Sequence, residues 1–155
     1  MKINIIAIGK KLPDWISNGI HYYEKQLPSH LNFKIIQVEP QNRKKQNIFI
    51  AKEIEGGLLL KKAERSNILI ALDEHGYQKS TMEIKDSLDK WLQNGDDVSI
   101  IIGGADGLSP KCLKASNEKW ALSRLTLPHS MARLLITEQL FRAYSLITNH
   151  PYHRE

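Results

Sequence analysis

Runs of five or six β-branched and aliphatic residues recur along this chain, separated by stretches of helical rather than alternating periodicity. Residues 3–8, 33–38, 68–72 and 98–102 read as strands, and 120–127 as a fifth extended segment closed by Pro128. Between the first two, Pro13-Asp14 opens a helix whose apolar face carries Trp15, Ile16, Ile20, Tyr23 and Leu27, with Pro28 beyond its end. A second helix is predicted over 47–65, weakened in its middle by Gly56-Gly57. Asp73-Glu74-His75-Gly76 reads as a turn, and Ser80 with Glu83 forms a capping box for a third helix that stops at Asn94-Gly95. Ser109-Pro110 caps a short fourth helix. A last one is predicted from Ser130 to about Ile147, with Met131, Leu134, Leu135, Phe141 and Tyr144 on its apolar side.

Parallel strands need crossover connections, and helices supply them. The alternation therefore predicts a three-layer α/β/α sandwich with a mostly parallel sheet, in a single domain spanning 1–155. In such folds ligands bind beyond the carboxyl ends of the strands. That directs attention to the turns after Leu72, Ile102 and Leu127.

No apolar run approaches the roughly 20 residues of a membrane helix. The opening Met1-Lys2-Ile3-Asn4-Ile5 lacks the h-region of a signal peptide, so a cytoplasmic location is expected. The single cysteine, Cys112, excludes an internal disulfide and reads as a buried bystander. His150 and His153 look like a metal pair, but Pro151 opposes a regular helix and spacing supplies no third ligand, so no metal is expected. The net charge of +5 favours a polyanionic partner. Beyond Lys119 every cation is arginine: Arg124, Arg133, Arg142 and Arg154. Guanidinium forks hold phosphate or carboxylate in fixed geometry, which lysine does not.

Glycines in Gly103-Gly104-Ala105-Asp106-Gly107 can let a backbone approach a ligand, but Ala105 and Leu108 break the dinucleotide spacing Gly-x-Gly-x-x-Gly. Glu138 and Arg142 are spaced for an i,i+4 ion pair. Arg43-Lys44-Lys45 reads as a solvated basic loop, and Trp15, Trp91 and Trp120 as core or interface residues.

Three stretches taken in order are far more specific. They are Ile102-Gly103-Gly104-Ala105-Asp106-Gly107-Leu108-Ser109, Leu125-Thr126-Leu127-Pro128-His129 and the ending Thr148-Asn149-His150-Pro151-Tyr152-His153-Arg154-Glu155. With them the whole chain closely resembles the bacterial large-subunit (23S) ribosomal RNA pseudouridine N3-methyltransferases, a minimal branch of the SPOUT class. The resemblance implies a deep trefoil knot in the C-terminal part, which general connection rules would not predict. It also implies S-adenosylmethionine as methyl donor, gripped by Leu72, Gly103 and the loop Leu122, Ser123, Arg124, Leu125, Thr126 and Leu127. It implies a homodimer acting on a pseudouridine of 23S RNA in the assembled ribosome. Attack by N3 requires loss of its proton, and His153, Glu138 and His129 are the candidate bases, His153 first because a neutral imidazole accepts a proton near pH 7. Arg142 and Arg154 would hold phosphate or developing charge, and Tyr152 would stack on the base. A non-enzymatic ribosome-binding factor, or a transfer-RNA methyltransferase of the same fold, would use the same basic surface.

Overall fold

The computed structural model describes residues 1–45 and 47–153. Five strands, β1 (Ile3–Ile8), β2 (Phe33–Val38), β3 (Ile68–Gln78), β4 (Val98–Ile102) and β5 (Glu118–Ala121), pair in parallel in the order β2-β1-β4-β3-β5. Side chains alternate faces along each strand. Ile3, Ile5 and Ala7 therefore join one apolar cluster with Ile100, Ile84, Leu88, Ile136 and Leu140, while Ile6 and Ile8 join a second with Ile101, Leu59 and Cys112. These clusters divide the helices between the two faces. On the first lie α1 (Asp14–Glu24), α3 (Thr81–Asn94) and α5 (His129–Ile147); on the second lie α2 (Ile48–Ala63) and α4 (Pro110–Ala115). Central β4 is buried at every position, as a strand covered on both faces must be.

Several local expectations hold. Ser80 accepts from the Glu83 amide at 3.1 Å and the Glu83 carboxylate accepts from the Ser80 amide, also at 3.1 Å, closing the capping box. Trp91 and Trp120 stack in the core, their ring planes 11° apart.

Others need correction. The third strand does not end at Leu72. It continues to Gln78, and the Asp73–Gly76 stretch is absorbed as a register shift between Leu72 and Tyr77, both of which align with Trp120 of β5. Conversely, the fifth strand stops at Ala121, and 122–127 is an irregular loop. Trp15 is 62% exposed, which excludes the core and leaves the interface of its two expected places. Gly56 does not merely weaken α2: a Cβ there would collide with the Ser109 side chain and lie 3.1 Å from Cys112 Sγ, so it sets the close approach of α2 to α4.

Arg43 is not solvated either. Its guanidinium binds the buried Glu55 of α2, and its Nε donates to Asp106 of the glycine turn at 3.0 Å. Lys44 and Lys45 stay at the surface.

Candidate active site

Because β1 leads away to β2 and β4 leads the other way to β5, the order in which the chain fills the sheet reverses between the parallel neighbours β1 and β4. Such a switch point opens a crevice at the carboxyl ends of the two strands. Here those ends are Ile8-Gly9 and Gly103-Gly104, with Ala7 and Ile102 in register just before them.

The glycine turn is folded tightly on itself. The Gly107 amide donates to the Gly104 carbonyl at 3.1 Å, and Gly107 has φ +77°, open to glycine without strain. A Cβ on Gly103 would run into the Gly107 carbonyl group and come within 2.8 Å of the Leu108 amide. Gly103 is thus required by the turn's own backbone, before any ligand is considered. The Asp106–Arg43–Glu55 contacts tie the turn to α2.

Beside it run Leu72 and the loop from Leu122 to Leu127. Leu72 is half-buried and in register with Trp120. In the loop, Ser123 Oγ accepts from the Leu125 amide at 2.9 Å, and Leu125 is 73% exposed. Polar groups flanking this loop are buried without partners: Trp120 Nε1 before it, and His129 Nδ1, Arg133 Nε and Arg133 Nη1 after it. Of these, His129 and Arg133 lie together against Gly9 at the end of β1, whereas Trp120 belongs to β5, three strands away. Buried polar groups are nearly always satisfied, so the unpaired atoms of His129 and Arg133 leave hydrogen-bonding capacity open at the crevice. The residues fit a small polar ligand held by backbone and apolar walls. Burial, with the neighbouring Arg133 charge, lowers the His129 pKa, so its imidazole is neutral near pH 7.

The tail forms a second cluster. Pro151–His153 makes a 3-10 turn that returns the chain onto α5. The Tyr152 hydroxyl donates to Glu138 Oε1 at 3.0 Å, Arg142 Nε donates to the same oxygen at 2.9 Å, and Gln139 donates to Oε2 at 2.7 Å. The expected Glu138–Arg142 pair is therefore present, inside a larger network. Burial first, then hydrogen bonds to Tyr23 and Glu138, push the Tyr152 phenol pKa far up, so it remains a donor. Its ring packs on Phe141 with centroids 4.6 Å apart, meets Tyr23 edge-on, and lies under the Arg142 guanidinium. These contacts hold the half-buried ring between α1 and α5. His153 Nδ1 is buried without a partner. Arg154, expected to hold phosphate, lies outside the described residues.

Glu138 is nine residues along α5 from His129, about 14 Å at 1.5 Å per residue. The tail thus docks on α5 about 2.5 turns beyond His129, near which the Leu122–Leu127 loop enters the helix. The sequence singles out most of these residues, but places Arg133 only among the C-terminal arginines, with no role of its own, and gives no sign of Glu55. A signal existed: Arg133 shares the core-facing stripe of α5 with Ile136, Thr137 and Leu140, where an arginine has no ordinary place.

Comparison with known proteins agrees with this geometry. The family described as "Predicted SPOUT methyltransferase" matches residues 1–153. A protein of Methylobacillus flagellatus named ribosomal RNA large subunit methyltransferase H is 42% identical over 156 residues, covering all of both chains. In fold the chain is similar to a methylase family protein from Haemophilus influenzae (TM-score 0.56, 13% identity, 99% of this chain and 70% of that one). It is also similar to a methylase family protein from Neisseria gonorrhoeae (TM-score 0.58, 16% identity, 90% and 81%). A family match over nearly every residue, joined to full-length identity with a curated relative and an all-parallel sheet whose crevice carries the glycine turn, makes this chain a member of the SPOUT methyltransferase family, with the knotted α/β fold of that family.

Proposed function

We propose that the protein transfers a methyl group from S-adenosylmethionine to N3 of a pseudouridine in 23S ribosomal RNA on the assembled ribosome. The observation that carries this reading is the full-length identity with a relative named for methylation of large-subunit ribosomal RNA. Leu72, Gly103 and Leu122 to Leu127 would hold the donor, and the unpartnered buried atoms of His129 and Arg133, just beyond that loop and against Gly9, support the assignment. The donor supplies an activated methyl group on a sulfonium. The protein's own contribution is to hold that group against the base, exclude water and take the proton that N3 gives up.

His153 remains the first candidate for that proton. Both carboxylate oxygens of Glu138 are committed to Arg142, Tyr152 and Gln139, which makes it a fastener of the tail rather than a free base. His129, neutral and beside the donor loop, is the alternative.

The 14 Å between the two clusters on α5 favours a homodimer in which one subunit's tail completes the other subunit's site. An exposed aromatic edge on α1, Trp15 at 62% and Tyr22 at 52%, supports such an interface. Titration calorimetry with S-adenosylhomocysteine tests the donor site: saturable binding is expected, and no heat at millimolar ligand would refute it. Light scattering tests the dimer, which a mass near 17.8 kDa at micromolar concentration would contradict.

A further inference from the structure

Arg133 is fully buried, at 0% exposure, yet has no ion pair to a carboxylate among the described residues. One nitrogen, Nη2, donates to the Ile8 and Gly9 carbonyls, each at 3.3 Å. Nε and Nη1 have no partner. A guanidinium stays charged in proteins, and a charge taken out of water requires compensation. Two long contacts to neutral carbonyls compensate poorly.

The position of this charge is informative. Ile8 and Gly9 end β1 at the switch point, and the register that pairs Ala7 with Ile102 sets Ile8 beside Gly103, one strand spacing or about 4.8 Å away. A Cβ on Gly104 would lie 3.2 Å from Ile8 Cγ2, which shows how closely the two strand ends approach. Arg133 sits one turn inside α5, a helix of 19 residues whose N-cap is Pro128. That N-terminus has no side-chain cap and no acidic residue in its first turn, so its free amides and partial positive charge face the same crevice. His129, kept neutral, adds no counter-charge. An uncapped helix N-terminus backed by a buried, uncompensated guanidinium is a seat for an oxyanion.

We propose that this seat receives the carboxylate of the methyl donor's amino-acid end. The proposal rests on the reading that Gly103 and Leu122 to Leu127 hold the donor, since both border the seat: Gly103 by strand register and Leu127 by being two residues before His129. Complete burial of Arg133 favours a small ligand within the loops over the phosphate of an RNA chain at the surface. A groove of about 300 Å³ between α1 and β2 also reaches Arg133, but Glu24 lines it and disfavours a phosphate entering from that side.

Calorimetry on the full-length protein with three probes tests this: S-adenosylhomocysteine, its decarboxylated analogue, and 5′-methylthioadenosine, which lacks the amino-acid end. Wild type should bind S-adenosylhomocysteine about 10- to 100-fold tighter than the decarboxylated analogue, the range for a charge-assisted hydrogen-bonded contact. Arg133→Met should remove that preference while changing 5′-methylthioadenosine affinity less than about threefold, and Arg133→Lys should restore part of it. Retained 5′-methylthioadenosine binding reports that the variant is folded; should Arg133→Met fail to fold, the wild-type comparison of the first two probes stands alone. Equal wild-type affinity for S-adenosylhomocysteine and its decarboxylated analogue would overturn the carboxylate seat but leave the donor loops intact. So would an Arg133→Met variant that keeps the preference and loses only ribosome binding, which would assign the seat to RNA phosphate. Failure of wild type to bind any of the three would overturn the donor-loop reading and the seat with it.

Discussion

Replacing Tyr152 by Phe removes one atom, the hydroxyl that donates to Glu138 at 3.0 Å, and keeps the ring against Phe141 and Tyr23. A hydrogen bond to a charged group contributes about 1.5–3 kcal/mol. Glu138 keeps Arg142 and Gln139 after the change, and its side chain is 13% exposed, so a loss somewhat below that range is expected, about 1 kcal/mol. For a chain of this size that lowers the melting temperature by about 2–4 °C. The pH dependence carries a second signature. The folded-state pKa of Tyr152 lies above its ordinary value of about 10. Above that pH the unfolded chain binds fewer protons than the native one, so stability falls as pH rises. Wild type should therefore lose stability more steeply than Tyr152→Phe between about pH 10 and 11, with a difference of up to about 1.4 kcal/mol per pH unit. Thermal and urea unfolding at pH 7.5, 10 and 11 measure both effects. A Tyr152→Phe variant with wild-type melting and an unchanged alkaline slope would refute the docked tail.

Gly57 has open space around its Cβ position and Gly56 does not, so Gly57→Ala should stabilise by about 0.5–1 kcal/mol while Gly56→Ala destabilises; parallel urea titrations compare them. Gly103→Ala should cost about 1–3 kcal/mol by forcing the glycine turn open, and calorimetry should show donor affinity falling with it; a stable variant with normal affinity would contradict the turn geometry. His129 is held neutral by burial and by Arg133, and the unfolded chain protonates first below about pH 6.5. Stability should thus fall as pH drops through that value, and His129→Gln should flatten the slope in acid unfolding curves. In single-turnover methylation His153→Ala should slow transfer by about 10²-fold or more; a wild-type rate would move the proton-accepting role to His129.

The layers of this fold were legible because they are written in local periodicity. The β-branched runs and the Ser80–Glu83 box state their structures outright. The strand that runs through Asp73–Gly76 was not, since turn-forming residues also serve as an irregularity when a neighbouring strand holds both sides. Arg43 was misread for a related reason: its partners, Glu55 and Asp106, are 12 and 63 residues away, and composition is silent about distant pairing. In the site, the glycine turn and the tail were found by motif, whereas Arg133 is a single cation on a core-facing stripe whose meaning depends on where β1 ends. The docking position of the tail followed from neither motif; it is a consequence of where Tyr152 meets Glu138 on a long helix.

The central claim, methyl transfer to a large-subunit ribosomal RNA pseudouridine, is tested most directly on its product. Purified protein is incubated with intact ribosomes and S-adenosylmethionine carrying an isotopically labelled methyl group, and the RNA is digested to nucleosides for mass spectrometry. The label is expected in 23S RNA as a pseudouridine methylated at N3. Label in transfer RNA, on another nucleoside, or nowhere would contradict it.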